Sequence, residues 1–367
     1  MTTLDTYSLY GPKAASHRIR LAQFAPAARQ AGFRLRLQSL LDNRYVRRRF
    51  MGNWPNLLRV FRLYLQRMHR LLRSKPKARA VGAIVYAELF PGMPFWLERQ
   101  LLPAKYIYDL DDSFFLKYRT GKLSLLRPFL SNKIDRLMQG AEAVTAGNSF
   151  LCDYAATANS RVVLLPSAVD TNVYRPADRP ANAEFTVGWV GSPSTEVFLG
   201  ELVEPLRRLA AEKPFRLLVM GGVFPHRIPG AKVETRTWSR RTEVGLIHSL
   251  DAGLMPLPDN EWSWGKCGFK LITYMACGIP VVASEVGANK EIVDEESGFL
   301  VYTPEEWVEA LRRLRDDPGL RRRMGEAGRR KVCAEYSLQA AAPVFVRTLK
   351  EVFGDGPLAD GRRRTDD

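Results

Sequence analysis

No stretch of this chain approaches the roughly 20 consecutive apolar residues of a membrane-spanning helix, so a bundle of such helices is excluded. Cysteine is scarce: Cys152, Cys267, Cys277 and Cys333 form no C-x-x-C pair. That argues against a disulfide framework and for free thiols in a reducing cytoplasm. The N-terminus, MTTLDTYSLY, lacks the basic-then-apolar layout of a secretory leader, and the expected location is cytoplasmic. Acids are nearly missing from one region. Residues 1–80 carry 18 Lys and Arg against two acids, Asp5 and Asp42, whereas the remainder holds 37 of each sign. The net charge of +16 therefore belongs to this first segment. Such a concentration points to an anionic partner: a membrane surface, a nucleic acid or a polyanionic substrate. Aromatic platforms and known nucleic-acid modules are absent as well, so no nucleic acid is expected.

What is present is a length of 367 residues and a hydrophobic fraction of 46%, the profile of two folded domains. Short runs rich in β-branched and aromatic residues recur at 6–10, 33–40, 82–87, 105–110, 141–147 and 161–166. A second series follows at 185–191, 215–222, 231–237, 252–257 and 279–284, and amphipathic stretches separate most of the runs. Alternation of this kind predicts two doubly wound domains with parallel sheets. The proline-bearing stretch YRPADRPANAEF (174–185) interrupts it. The reading is a first domain over 1–178, a second over 179–336, a closing helix over 337–353 and a frayed, apolar-poor tail over 354–367.

The segment GKCGFKLITYMACG (265–278) lies between two strands of the second series. In open α/β sheets such a segment faces the ligand side, where helix N-termini favour anions. Lys266 and Lys270 add positive charge, Gly265 and Gly268 let backbone approach closely, and Leu271, Ile272, Met275 and Ala276 form a packing face. Two readings stay open: a diphosphate site, or a surface loop with two solvated lysines. In the first half, YDLDDSFF places Asp109, Asp111 and Asp112 at a strand end. Three carboxylates there repel unless they meet a cation, hydrogen-bond donors or sugar hydroxyls, and one of them is expected to cap a helix at Ser113. A metal-binding D-x-D is the minor reading. Glu88 ends the preceding strand and is expected to face the same cleft.

The stretch 53–75 is a basic amphipathic helix. It sets Leu57, Leu58, Phe61, Leu65, Met68 and Leu72 near one face, with Arg59, Arg62, Arg67, Arg70 and Arg73 largely off it. Such a helix either packs its apolar face on the sheet or lies on anionic lipid.

In order along the chain, VGWVGSPST, LIHSLDAGLMPLPDNEW, GKCGFKLITYMACGIPVVASEVGANKEIV and GFLVYTPEEW resemble the C-terminal domain of family 4 glycosyltransferases. AELFPGMPFWLERQLLPAKYIYDLDDSFF, AEAVTAGNSFLCDYA and LLPSAVDTNVYRP are similar to matching segments of the first half, and the resemblance spans roughly residues 5–350. It implies an α/β chain of the GT-B fold, with two Rossmann-like doubly wound parallel-sheet domains facing a cleft. It further implies a nucleotide-sugar donor in the C-terminal domain and a hydroxyl acceptor, carbohydrate or lipid-linked, in the N-terminal one. Transfer would proceed with retention, without a metal or other cofactor, in cell-surface polysaccharide or glycolipid synthesis, and the closing helix would return to the first domain. An enzyme of that kind would work in the cytoplasm or against the inner face of the membrane.

The resemblance also assigns residues. Gly11, Ser16 and Arg18 fall in a glycine-containing loop beside donor and acceptor; Lys13 and Arg20 are expected to be surface charge, and His17 to have no role. Asp109 stands where the family often has a histidine touching the donor sugar. Gly191 and Ser192, then Gly265, Gly268, Phe269 and Thr273, belong to the donor side. The family's two glutamates, eight residues apart, fall at Gly265 and Thr273, and GSPST (191–195) lacks the usual basic residue. The cationic role is therefore expected at Lys266 and Lys270, with Thr273 and Glu291 reaching sugar or ribose. The rival readings are another GT-B enzyme, such as a nucleotide-sugar epimerase, and a non-catalytic nucleotide-sugar-binding protein.

Overall fold

Strands buried on both faces read as nearly unbroken apolar runs, because alternate side chains enter two different cores. The central runs of this chain do so, while those at 33–41 and 231–236 carry charged residues between the apolar ones. In a computed structural model, which describes residues 1–354 except 51, 52, 54, 55, 74–80, 121–123, 179, 181 and 194, they build two sheets. The first contains β1 (Thr2–Tyr10), β2 (Phe33–Leu41), β3 (Gly82–Tyr86), β4 (Tyr106–Leu110), β5 (Ala143–Ala146) and β6 (Val162–Leu164). Their order is β2-β1-β3-β4-β5-β6, every pair parallel. The second contains β7 (Thr186–Val190), β8 (Phe215–Met220), β9 (Ala231–Arg236), β10 (Ala252–Met255), β11 (Val281–Ser284) and β12 (Gly298–Val301). Its order is β12-β11-β10-β7-β8-β9, again parallel throughout. The short edge strand β12 is the one that the sequence reading did not anticipate.

Strand order reverses between β1 and β3 in the first sheet, and between β7 and β10 in the second. Ligand crevices of open sheets form outside the carboxyl ends of strands at such points. Apolar clusters cover both faces of each sheet. The helix Leu338–Phe353, capped by the Ser337 side chain, buries Phe345, Leu349 and Phe353 against the first sheet, with Phe345 stacked on Phe24 at 4.6 Å. The connection between the sheets is clamped by Arg329, which donates to the carbonyls of Thr171 (3.0 Å), Tyr174 (2.5 Å) and Ala276 (2.7 Å).

The basic helix, Leu57–Arg73, packs by a different face from the one its leucines mark. Val60, Leu63, Tyr64, Met68 and Leu71 meet the core, whereas Leu57, Leu58, Phe61, Leu65 and Leu72 are exposed. Arg67, expected off the packing face, is fully buried. Its guanidinium donates to the carbonyls of Leu89 (2.9 Å), Ser8 (3.1 Å) and Gln38 (2.9 Å) and lies over the Tyr7 ring. Burial lowers its pKa to about 10. The ends of the 53–75 stretch at 54, 55, 74 and 75, and the tail beyond Gly354, lie outside the described residues.

Candidate functional site

The carboxyl ends of the two sheets meet across a cavity of about 330 Å³. On the second-domain wall the Val190 N–H donates to the Tyr274 hydroxyl oxygen at 2.7 Å. That bond ties the end of β7 to the helix Phe269–Ala276, and Gly191 and Ser192 follow on the cavity surface. Gly268 precedes the helix with a φ of +57°, a conformation that favours glycine. Phe269, Lys270 and Thr273 then line the cavity. The Thr273 hydroxyl donates to the Lys270 carbonyl at 2.7 Å. The Lys270 ammonium lies 4.9 Å from the centroid of the Trp189 ring, and no carboxylate pairs with it among the described residues. Burial first, and Lys266 second, pull its pKa down to about 7. Lys266 differs: its ammonium is 2.6 Å from Asp112 of the first domain.

The opposite wall carries Ser16, Arg18 and Asp111. Arg18 donates to the carbonyls of Pro12 (3.2 Å) and Lys13 (2.9 Å), and its guanidinium lies 5.2 Å from the centroid of Trp238 across the cleft. Burial lowers its pKa, with Glu243 opposing. Asp111 accepts from the Tyr86 hydroxyl at 2.7 Å. Burial pushes its carboxyl up to about 7, with Arg20 pulling the other way. A cation and a carboxyl that both titrate near neutrality thus face one cavity. Lys13, Arg18 and Trp238 also line an adjoining cavity of about 910 Å³.

One edge of the cleft is stitched shut. The Ser113 hydroxyl donates to the Glu261 carbonyl (2.9 Å), and the Asn148 amide to the carbonyls of Trp264 (3.0 Å) and Lys266 (3.1 Å). The Cys267 thiol donates to the Asp111 carbonyl at 3.1 Å. Gly265 sits so tightly here that a Cβ would fall 2.1 Å from the Ser113 hydroxyl oxygen. Glu291 lies outside the cavity, accepting from the Ser149 hydroxyl.

Several expected site residues are elsewhere. Asp109 is 2% exposed and does not reach the cavity. It holds the guanidinium of Arg20 by two bonds, 2.6 and 3.0 Å, and accepts from Thr145 at 2.6 Å. Arg20, read as surface charge, is its fully buried partner; burial opposes the charge, but Asp109 outweighs it and raises the arginine pKa. Glu88 turns inward, to Lys117 (2.7 Å), Lys133 (2.7 Å) and the Tyr118 hydroxyl (2.6 Å). Lys133 also pairs with Glu98 at 2.7 Å. Burial raises the pKa of Glu88, and the two lysines more than reverse that effect. His17 is buried, its Nδ1 2.9 Å from the Ser8 hydroxyl, and Gly11 packs beside Ser39. Conversely, Trp238 and the buried Glu243, which accepts from the Tyr174 hydroxyl at 3.0 Å, line the cavity and were not singled out. Trp238 stands two residues past β9, and the strand-end rule points to that place. Among the described residues no group of three or more His, Cys, Asp or Glu side chains is arranged to hold a metal ion.

Residues 184–317 match the family model described as "Glycosyl transferases group 1". The chain is 28% identical over 254 residues to D-inositol 3-phosphate glycosyltransferase of Segniliparus rotundus, covering 62% of this chain and 55% of that protein. It is 28% identical over 225 residues to MMP alpha-(1->4)-mannosyltransferase of Mycolicibacterium hassiacum, covering 57% of this chain and 52% of the other. In both cases it spans about half the length of the relative. Among solved structures, sucrose-phosphate synthase from Thermosynechococcus elongatus superposes with a TM-score of 0.70 at 16% identity, covering 97% of this chain and 100% of the other. Anabaena HepE, solved in complex with UDP and glucose, gives 0.67 at 14% identity, covering 95% and 100%. The fold is therefore GT-B, two Rossmann-like domains about a cleft, and the resemblance to family 4 glycosyltransferases holds.

Proposed function

We propose that the protein is a glycosyltransferase that moves a hexose from a nucleotide-diphosphate sugar to a hydroxyl acceptor with retention. The observation that carries this reading is Lys270: a cation on the cavity wall, at the first turn of a helix, without a carboxylate partner among the described residues. A diphosphate supplies the missing charge and accepts from the free N–H groups of that helix end. Stabilising the departing phosphate is the main electrostatic task of such a transfer, and fixed donors near Lys270 and Lys266 are placed for it. No protein nucleophile and no metal enter this scheme. The sugar projects toward Asp111, whose carboxyl is poised to bind a donor or acceptor hydroxyl. Asp109 acts at a distance, by fixing Arg20, whose charge favours the ionised form of Asp111. The acceptor, carbohydrate or lipid-linked, enters from the first-domain side between Ser16 and Arg18. The relatives' names support the reaction class, and the basic first segment supports a cell-envelope setting on the inner face of the membrane.

A non-catalytic nucleotide-sugar binder is the second reading, favoured by Gly265 and Thr273 in place of the family's glutamates. Incubation with a panel of nucleotide-sugars tests both. Slow donor hydrolysis without acceptor is the expected outcome. Saturable binding with no hydrolysis or transfer for any donor favours the binder, and a released, isomerised sugar favours an epimerase.

A further inference from the structure

The helix Leu57–Arg73 has three faces. With successive residues about 100° apart, Leu63, Arg67, Val60, Leu71, Tyr64 and Met68 form the packed side. Phe61, Leu72, Leu65 and Leu58 fill the next arc, of about 60°, and Leu57 is exposed at the helix start. Their exposures, in that order and with Leu57 last, are 64, 65, 42, 83 and 75%. His69, Arg62, Arg73, Arg59 and Arg70 form the adjoining flank. Among these, Arg59 is committed to Asp42; Arg62 and Arg73 have no acidic partner among the described residues. An apolar ridge bordered by cations is a costly surface in water, and it lies in the segment that carries the chain's whole net charge.

We propose that this ridge is a docking surface for an anionic lipid bilayer, with the helix axis in the plane of the membrane. The apolar arc enters the boundary between headgroups and acyl chains, while Arg62 and Arg73 meet lipid phosphates. A second copy of the chain would cover the leucines but set its own arginines and its charge of +16 against these, and an uncharged protein surface gains nothing from them. This inference deepens the proposed function by placing the enzyme at the surface where a lipid-linked acceptor resides.

The test is sedimentation with vesicles of pure phosphatidylcholine and of phosphatidylcholine with phosphatidylglycerol. The wild type pellets with the anionic vesicles and much less with the neutral ones, and added salt releases it. The double variant Phe61→Ser, Leu65→Ser loses about tenfold in partitioning. Arg62→Glu with Arg73→Glu loses a similar factor on anionic vesicles only. All four positions are on the surface, so circular dichroism and donor hydrolysis stay at wild-type values. A membrane failure is thereby separable from a failure of the glycosyltransferase reading. Wild type that stays in the supernatant at low salt overturns the proposal, as does unchanged pelleting of both variants. A dimer that Phe61→Ser, Leu65→Ser dissociates, without vesicle binding, overturns it in favour of a second copy.

Discussion

The two halves of the molecule treat buried charge in opposite ways. In the first domain, Arg20 has Asp109 and Lys133 has Glu88 and Glu98. Those two cations are matched by carboxylates and a third, Arg67, by three backbone carbonyls, and none of them lines the cavity. In the second domain Lys270 stands at the cavity wall with an aromatic ring and a second lysine for company, and its pKa falls accordingly. A buried charge with a partner is a structural commitment, since desolvation is compensated within the fold. A charge left without one is kept costly until a ligand arrives, which is the signature of a binding site.

The largest effect that sharpens this contrast is expected on the paired side. Asp109→Asn leaves the Arg20 guanidinium buried without its countercharge and should cost about 3–5 kcal/mol of stability, read by chemical denaturation. A loss under about 1 kcal/mol would break the comparison. On the unpaired side, Lys270→Ala should weaken nucleoside-diphosphate binding by about 1.5–3 kcal/mol, or roughly 10- to 150-fold. It should leave the denaturation midpoint of the free protein unchanged or higher. Calorimetry and denaturation together decide; a destabilised variant with intact affinity puts Lys270 among the structural charges.

The third effect is one of pH. Lys270 is cationic below about 7 in the free protein, and a bound diphosphate favours that form. Affinity should therefore fall by up to about tenfold per pH unit above 7, while Lys270→Arg, always protonated, serves as the flat reference that cancels titration of the ligand. The sign for stability is the reverse. The folded pKa lies below the ordinary 10.5, so between about 7 and 10.5 the unfolded chain binds the extra proton and ligand-free stability rises with pH. The smallest effect is expected from Lys266→Ala. Its pair with Asp112 is partly solvated and worth about 0–1 kcal/mol, so affinity should drop only a few-fold; a loss equal to that of Lys270→Ala would erase the distinction between the two lysines.

Much of the fold was legible because it rests on local pattern. The eleven strand runs read from the sequence each form a strand. β12 escaped because a four-residue edge strand after Gly298 carries little periodic signal. The site was most legible on its second-domain side, where the lysines and glycines are neighbours in sequence; on the first-domain side Ser16, Arg18 and Asp111 reach the cavity, whereas Gly11, Glu88 and Asp109 do not. Asp109 and Asp111 look equivalent as text. What separates them is Arg20, 89 residues away from Asp109 and revealed only by packing. The helix Leu57–Arg73 teaches the same limit: periodicity finds an apolar face, not what covers it.

Gly265 has a consequence for how closely the two domains can meet. A side chain there would run into the hydroxyl and, at 2.7 Å, the backbone nitrogen of Ser113, on the other domain. Gly265→Glu would therefore force the two domains apart at this contact. Gly265 is thus a spacer between the domains, and any larger residue there is expected to open the stitched edge of the cleft.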